Sequence, residues 1–316
     1  MKKNLISADI PQYKANLHCH STFSDGKFTP EELKAHYMAH GYSVIAFTDH
    51  TRLYGHNELT DGDFLALNGY ELDFTEPAPS YNVAKVCHLC AVCPTKDYLT
   101  PIDVPDCEDP YSAERINETI RRAKEAGYFV TYNHPVWSME SYPEYSRYHG
   151  MDALEIYNYS SDCGGWCDYV PQVYDDLLRL GNRIGCTATD DNHDHLPEEH
   201  PLFDSYGGFT YIMAPTLTYA DVFRALKFGD YYASMGPRFL EVIAEDGQLR
   251  VKTSPVFRMQ LSTKYRRAEA AGAPFGETIT EAVFSVRPDD GYVRLDIVDE
   301  HGRHADTRAF DVAELL

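Results

Sequence analysis

The sequence is short of basic residues: 28 Lys and Arg stand against 49 Asp and Glu, a formal net charge of −21 over 316 residues. An acidic surface repels nucleic-acid phosphates, so no polynucleotide is expected as a partner. Small anionic substrates stay open wherever divalent cations outweigh the local carboxylates. No run of 18 apolar residues occurs and the mean hydropathy is −0.43, so no membrane span is expected. Met1 to Pro11 carries two lysines but no apolar stretch. No signal peptide is read there, and the expectation is a soluble, cytoplasmic protein. Low-complexity tracts and internal sequence repeats are missing as well. Cysteine is absent after Cys186. Upstream, Cys87, Cys90 and Cys93 form a C-x-x-C-x-x-C run, but no second pair of knuckle-like spacing accompanies it and His88 sits inside it. The run reads as small apolar residues on a buried strand in a reducing compartment rather than as a thiolate metal site.

Histidine is plentiful, with 14 residues. Residues 16–26, Asn-Leu-His-Cys-His-Ser-Thr-Phe-Ser-Asp-Gly, set His18 and His20 two apart. On a strand, residues i and i+2 share a face, so both imidazoles can aim at one metal ion. Asp25 follows on a loop, where Gly26 permits a sharp turn.

A strand over 14–18 feeds this pair. Thr29-Pro30-Glu31-Glu32 is a capping box with proline at the first helical position, predicting a helix from Glu31 to about His40 that stops at Gly41. Apolar residues 43–48 predict a strand running into Asp49-His50. Further strands are expected at 64–70, ending near Glu71, and at 83–92, carrying His88. Others fall at 128–132 before His134, at 153–157 with Glu155 and Asn158, at 183–187 before Asp191, His193 and His195, and at 209–213. Helices are expected at 112–126, 168–180 and 219–228, the last capped by Thr218. This α/β rhythm of seven or eight steps over about 230 residues argues for a TIM-like, distorted parallel barrel with its chemistry at the strands' C-terminal ends. After Arg238, short alternating runs separated by Asp246-Gly247, Asp290-Gly291 and His301-Gly302 predict a small antiparallel β domain. The expected division is 1–238 and 239–316.

His18, His20, Asp25, Asp49, His50, Glu71, His88, His134, Asp191 and His193 come from five or six separate strand ends. Any one of them is ordinarily a satisfied polar residue; together they are hard to explain as surface decoration. Nitrogen and carboxylate donors without thiolate suit Zn, Mn or Fe, and nine ligands exceed what one or two ions use, so three ions are the natural count.

His18-Cys19-His20 with Ser24-Asp25-Gly26, then Thr48-Asp49-His50, Glu71, His134-Pro135 and Asp191-Asn192-His193, resemble the motifs of the PHP (polymerase and histidinol phosphatase) family in their order. The resemblance covers residues 14 to about 238, and the β-rich tail is similar to two-domain members related to phosphoesterases. It implies a (β/α)7 barrel with up to three divalent metals. It assigns one metal to His18, His20, Glu71 and Asp191, a second to Glu71, His88 and His134, and a third to Asp25, His50 and His193. Asp49 is expected to orient a ligand. Three divalent ions bring about +6 against −3 from three carboxylates, leaving about +3 for a phosphate and a bridging hydroxide that attacks phosphorus.

The expected activity is hydrolysis of a small phosphorylated metabolite, a nucleotide or sugar phosphate; the sequence does not decide between monoesters alone and a cyclic phosphodiester followed by its monoester. Asp191 and His195 are candidates for proton transfer to the leaving group. Arg52, His56, Lys85, His195 and Arg238 are candidate substrate-side cations, each with a solvated surface role as the alternative. Trp137, and Tyr157 with Asn158, either shape a pocket for a base or sugar or belong to the core. An amidohydrolase-type C–N hydrolase and a non-catalytic PHP scaffold module are the competing readings.

Overall fold

The computed structural model describes residues 2–316. The first part of the chain holds β1 (Lys3–Ile6), β2 (Gln12–Asn16), α1 (Pro30–Ala39), β3 (Val44–Phe47), β4 (Leu65–Thr75) and β5 (Val86–Val92). Then come α2 (Ala113–Glu125), β6 (Phe129–Tyr132), α3 (Tyr142–Tyr145), β7 (Ala153–Asn158), α4 (Tyr159–Cys163) and α5 (Pro171–Arg179). β8 (Gly185–Thr189), β9 (Phe209–Met213), α6 (Tyr219–Phe228) and β10 (Tyr231–Ser234) complete this part. The tail is nearly all strand: β11 (Phe239–Glu245), β12 (Gln248–Val256), β13 (Arg258–Thr263), β14 (Ala268–Gly272), β15 (Ile279–Ser285), β16 (Tyr292–Val298), β17 (His304–Thr307), β18 (Phe310–Asp311) and the short α7 (Val312–Leu315).

Local chemistry sets these elements. Thr29 and Glu32 cap α1 reciprocally, with Pro30 in its first turn. In α2, capped by Ser112, the buried Ile116, Thr119, Ile120 and Ala123 recur at the spacing of one helical face. β3 and β6 to β8 are buried along their whole length, as expected for strands covered on both faces.

The sheet is mixed, which corrects the all-parallel barrel. β2, β3 and β4 pair parallel, as do β6, β7 and β8, but β5 lies antiparallel between β4 and β6. Residues 76–85, the link from β4 to β5, fall short of the dozen or more that a parallel crossover takes. β9 is antiparallel to both β2 and β10. Ring closure is also not shown: among the described residues no ladder joins β8 to β2. Their ends meet where Asp190 N donates to Asn16 Oδ1 at 3.1 Å and, just beyond, in the parallel bridge Cys19–Asn192, where Asp191 N donates to His18 O at 3.0 Å. That bridge places the segment after β8 beside the His18-x-His20 segment.

The tail continues the same sheet through β10–β17 pairing, while β11, β12 and β15 form a second, four-stranded sheet with β1. Val242, Leu249, Val251 and Phe284 of that sheet belong to one core with Met259, Leu261, Leu295 and Ile297 of the first. Burying each such side chain contributes about 1.5–3 kcal/mol. Among the described residues no helix is long and apolar enough to cross a membrane.

The Tyr169 hydroxyl ties the loop before α5 to the tail, lying 3.0 Å from Asp306 Oδ2, 3.3 Å from Asp296 Oδ2 and 3.0 Å from His304 Nδ1. Arg294 pairs with Asp306 and Asp175, and Arg258 with Asp296. Burial opposes charge on His304, but its hydrogen bond to Asp296 outweighs that and raises its pKa. Burial and the nearby Asp296 push Asp306 up to about 7. Both groups therefore hold protons more tightly in the folded chain than in the unfolded one. The Asp306 contribution is full below its unfolded value near 3.8 and is lost as pH rises towards about 7; that of His304 is full below 6.5 and is lost above it. The melting temperature should accordingly fall between pH 6 and pH 8.5, and fall less in His304→Gln. Equal slopes would remove His304 from this account.

Candidate metal centre

Donor side chains gather at one end of the strands: His18 and His20 past β2, His50 past β3, Glu71 in β4, His88 in β5, Glu155 in β7, His134 past β6, and Asp191 and His193 past β8. Alternation explains the first pair, since Leu17 and Cys19 are buried among apolar residues while His18 and His20 face the cluster. Gly26 is required by close approach: a Cβ there would lie 2.4 Å from the His20 carbonyl oxygen. The same alternation separates the cysteines. Cys90 shares the His88 face, where its sulfur accepts from Asn133 at 3.1 Å, while Cys87 and Cys93 fall on the other face and are packed in the core.

Glu71 is the hub. Its Oε1 lies 2.9 Å from His88 Nδ1, 3.2 Å from His18 Nε2 and 3.3 Å from His134 Nε2, and its Oε2 lies 3.0 Å from His50 Nδ1 and 3.4 Å from His20 Nε2. Asp191 Oδ1 stands 3.1 Å from His18 Nε2 and 3.0 Å from His20 Nε2. Asp25 lies 3.6 Å from His193, 3.7 Å from His20 and 3.7 Å from His50. All nine side chains expected as ligands are thus brought together. Their atoms form groups able to hold a cation: His20, Asp25, His50 and His193; His18, His134 and Asp191; Glu71, His88 and His134; and His18, Glu71 and Cys90. His20 groups with Asp25 through a ring stacked on His193 at 4.4 Å, a difference from the sets the family motifs imply.

The supporting bonds fix which ring nitrogens face inward. His18 Nδ1 donates to Glu155 Oε1 at 2.9 Å and His193 Nδ1 donates to the Asp191 carbonyl at 2.9 Å, so each presents an Nε2 lone pair. That of His18 confronts Asp191, Glu71 and the His20 Nε2 at 3.1 Å. Acceptors so close together repel unless a proton or a cation lies among them, and nitrogen and carboxylate donors suit a divalent ion. The donor set therefore fits metal. Two of its members sit on strained backbone, His134 at φ 26° and Asp191 at φ 52°, a cost of order 1–3 kcal/mol each. The strain is held by His134 N donating to Glu155 and Asp191 N to His18 O.

Electrostatics agree. Burial disfavours charge on His20 and His88, but Asp191 and Glu71 hold His20 up at about 9, and Glu71 and Asp73 hold His88 up at about 10. Burial opposes ionisation of Glu71 and Asp191 too, yet the surrounding imidazoles pull both well below the carboxylate range. A carboxylate so held suits a metal ligand. Burial lowers His50 and His193, leaving neutral rings beside Asp25.

Sequence reasoning left out some supporting residues. Glu155, noted only for its place on a strand, holds His18, the His134 amide, Asn158 and Thr189. Asp204 accepts from the backbone of His193 and Asp194 at 2.9 Å each. Asp49, expected from the sequence to orient a ligand, accepts from Ser21 and Ser24 and so orders the loop that carries Asp25.

A cavity of about 380 Å³ opens onto the cluster, lined by Asp25, Glu71, Asp191 and imidazoles with Tyr81, Trp137 and Trp166. Among the described residues none of Arg52, His56, Lys85, His195 and Arg238 lines it. Arg52 is exposed past Thr51, whose left-handed backbone (φ 60°) redirects the chain. His56 is buried against Phe47 and Phe23. Lys85 is held by Glu144. His195 is exposed, its ring 6.0 Å from His193. Arg238 lies over Tyr211 and bonds Gln12, at the start of β2 and so at the far end of that strand from the cluster. Tyr157 is core, whereas Trp137 lines the cavity.

A family model described as PHP domain matches residues 16–83. No curated protein matches the sequence. Among solved structures, a two-domain protein containing a predicted PHP-like metal-dependent phosphoesterase, from Bacteroides vulgatus, is 17% identical over 92% of this chain and 91% of its own, with a TM-score of 0.48. A candidate metal-dependent phosphoesterase from Bifidobacterium adolescentis is 16% identical over 61% of this chain and 91% of its own, with a TM-score of 0.38. An amidohydrolase from Chromobacterium violaceum, with bound sulfate and no metal, is 15% identical over 60% of this chain and 93% of its own, with a TM-score of 0.37.

Proposed function

We propose, from the premise that this chain is a PHP-domain protein, that it hydrolyses the phosphate ester of a small metabolite at a site for three divalent ions, Mn, Zn or Fe. The observation that carries this reading is the convergence of six imidazoles and three carboxylates, drawn from separate strands, in one cluster at the floor of one cavity. One ion would be held by His18, Asp191 and Glu71, a second by Glu71, His88 and His134, and a third by His20, Asp25, His50 and His193, with the Glu71 carboxylate shared between the first two. Divalent ions held there supply Lewis acidity at phosphorus and a nucleophile at neutral pH. The chain's own part is orientation. Glu155 and the Asp191 carbonyl select the tautomers of His18 and His193, and Asn158 Nδ2 donates to Asp191 Oδ2 at 3.0 Å, turning Oδ1 to the imidazoles. With no Lys or Arg lining the cavity among the described residues, the charge that meets phosphate comes from the ions.

The test is phosphate release by Mn- and Zn-loaded protein from monoesters and their matched cyclic phosphodiesters. Release is expected to cease with chelator and return with metal, and phosphate from both members of a pair would mean two successive ester cleavages. Release from neither, with any of the three metals, would overturn the reading.

A further inference from the structure

Both tryptophans of the chain stand at the metal-centre cavity. The Trp137 indole lies 5.0 Å from the His134 ring and 5.6 Å from that of His88. Trp166 sits on the turn after α4, between Gly165 (φ 90°) and Cys167 (φ 50°), and is 44% exposed. Tyr81 is 49% exposed, 6.5 Å from Trp137. These three rings also wall a second hollow of about 310 Å³, shared with Asn82, Val86 and Met139. Scattered apolar side chains on a surface are ordinary, whereas a contiguous apolar patch beside a polar cavity marks a binding site. Charge narrows the ligand. Among the described residues neither hollow is lined by Lys or Arg, and the charged walls are carboxylates and imidazoles. A leaving group with a second phosphate or a carboxylate finds no fixed cation there. A neutral planar ring finds indole and phenol faces to stack on. The Asn82 amide adds a donor and an acceptor, which suits a heterocycle better than a plain aryl ring.

We propose that Tyr81, Trp137 and Trp166 clamp the leaving group and select esters whose alcohol is a nucleoside over sugar phosphates. The catalytic half of this statement rests on the phosphoesterase reading; the binding half does not. Because both tryptophans of the chain line this cavity, its tryptophan emission, excited to the red of the absorption of the 24 tyrosines, reports on this cavity. Adenosine, which carries no phosphate, is expected to quench that emission saturably, and ribose is not. Trp166→Ala and Tyr81→Ala, both at half-exposed positions, should weaken adenosine about 5- to 100-fold. In each variant the ratio of kcat/KM for adenosine monophosphate over ribose 5-phosphate should fall by a similar factor. Absence of saturable quenching, unchanged affinity in both variants, or equal quenching by phenol overturns the nucleoside clamp. Saturable quenching without phosphate release from any ester overturns the phosphoesterase reading and leaves the clamp standing.

Discussion

Glu71→Gln is expected to lower phosphate release by at least ~1000-fold, about 4 kcal/mol of transition-state stabilisation. The substitution conserves size at a position 1% exposed, so the fold should persist. It removes one negative charge from a point within 3.4 Å of five imidazoles, His18, His20, His50, His88 and His134. An amide cannot neutralise a divalent cation, and its NH2 group turns a donor towards ring nitrogens that are to serve as ligands. Two of the ligand groups contain Glu71, so the variant should also bind fewer ions at saturation, as counted by elemental analysis after equilibrium dialysis. Full activity with an unchanged ion count would show that the chemistry lies elsewhere.

The second large effect is expected at Glu155, which faces no ion in the proposed assignment. Its carboxylate is fully buried and accepts from His18 Nδ1, His134 N, Asn158 Nδ2 and Thr189 Oγ1, with no Lys or Arg bonded to it among the described residues. Glu155→Ala would leave four interior donors unpaired, at about 1–3 kcal/mol each before relaxation, and should fail to give folded protein. Glu155→Gln keeps the volume but sets an NH2 against a donor, releasing the His18 tautomer. That variant should fold and lose about 10- to 100-fold in metal affinity. The readout that separates positioning from packing is the metal dissociation constant, measured below the variant's melting temperature. A drop in melting temperature with unchanged metal affinity would reduce Glu155 to a structural role.

These residues differ in how openly the sequence declares them. His18, His20, His50, His134 and Asp191 follow apolar runs at strand ends, so periodicity and motif name them together, and α6 and β9 lie where the pattern puts them. Glu155 lies within a strand where all six residues are buried, and nothing in the linear chain distinguishes a carboxylate that holds a histidine from one that merely ends a strand. The expected substrate-side cations lie off the cavity for a related reason. Arg52 is two residues from His50, but a single left-handed residue between them decides where its side chain goes. Arg238 follows Gly236-Pro237, yet β10 runs antiparallel to β9 and carries it to the start of β2. The antiparallel β5 was hidden by strand ends misplaced by a few residues, which made the link before it long enough for a crossover. The tail's antiparallel pattern was legible from its turns. Its union with the first sheet through β10 and β17 was not, because pairing across some 70 residues leaves no local trace.

The clasp between β1 and β11 bears on how this protein is made. Lys3 faces Ala244, so a strand near the start of the chain finds its only ladder partner, among the described residues, about 240 residues later. At about 5–20 residues per second, roughly 10–50 s pass on the ribosome before that partner is synthesised. Through that interval β1 is an open edge, and Ile6, 2% exposed in the finished protein, has no cover. A ribosome that stalls before β11 releases a product whose metal ligands are all present but whose first strand is still free to pair with another chain.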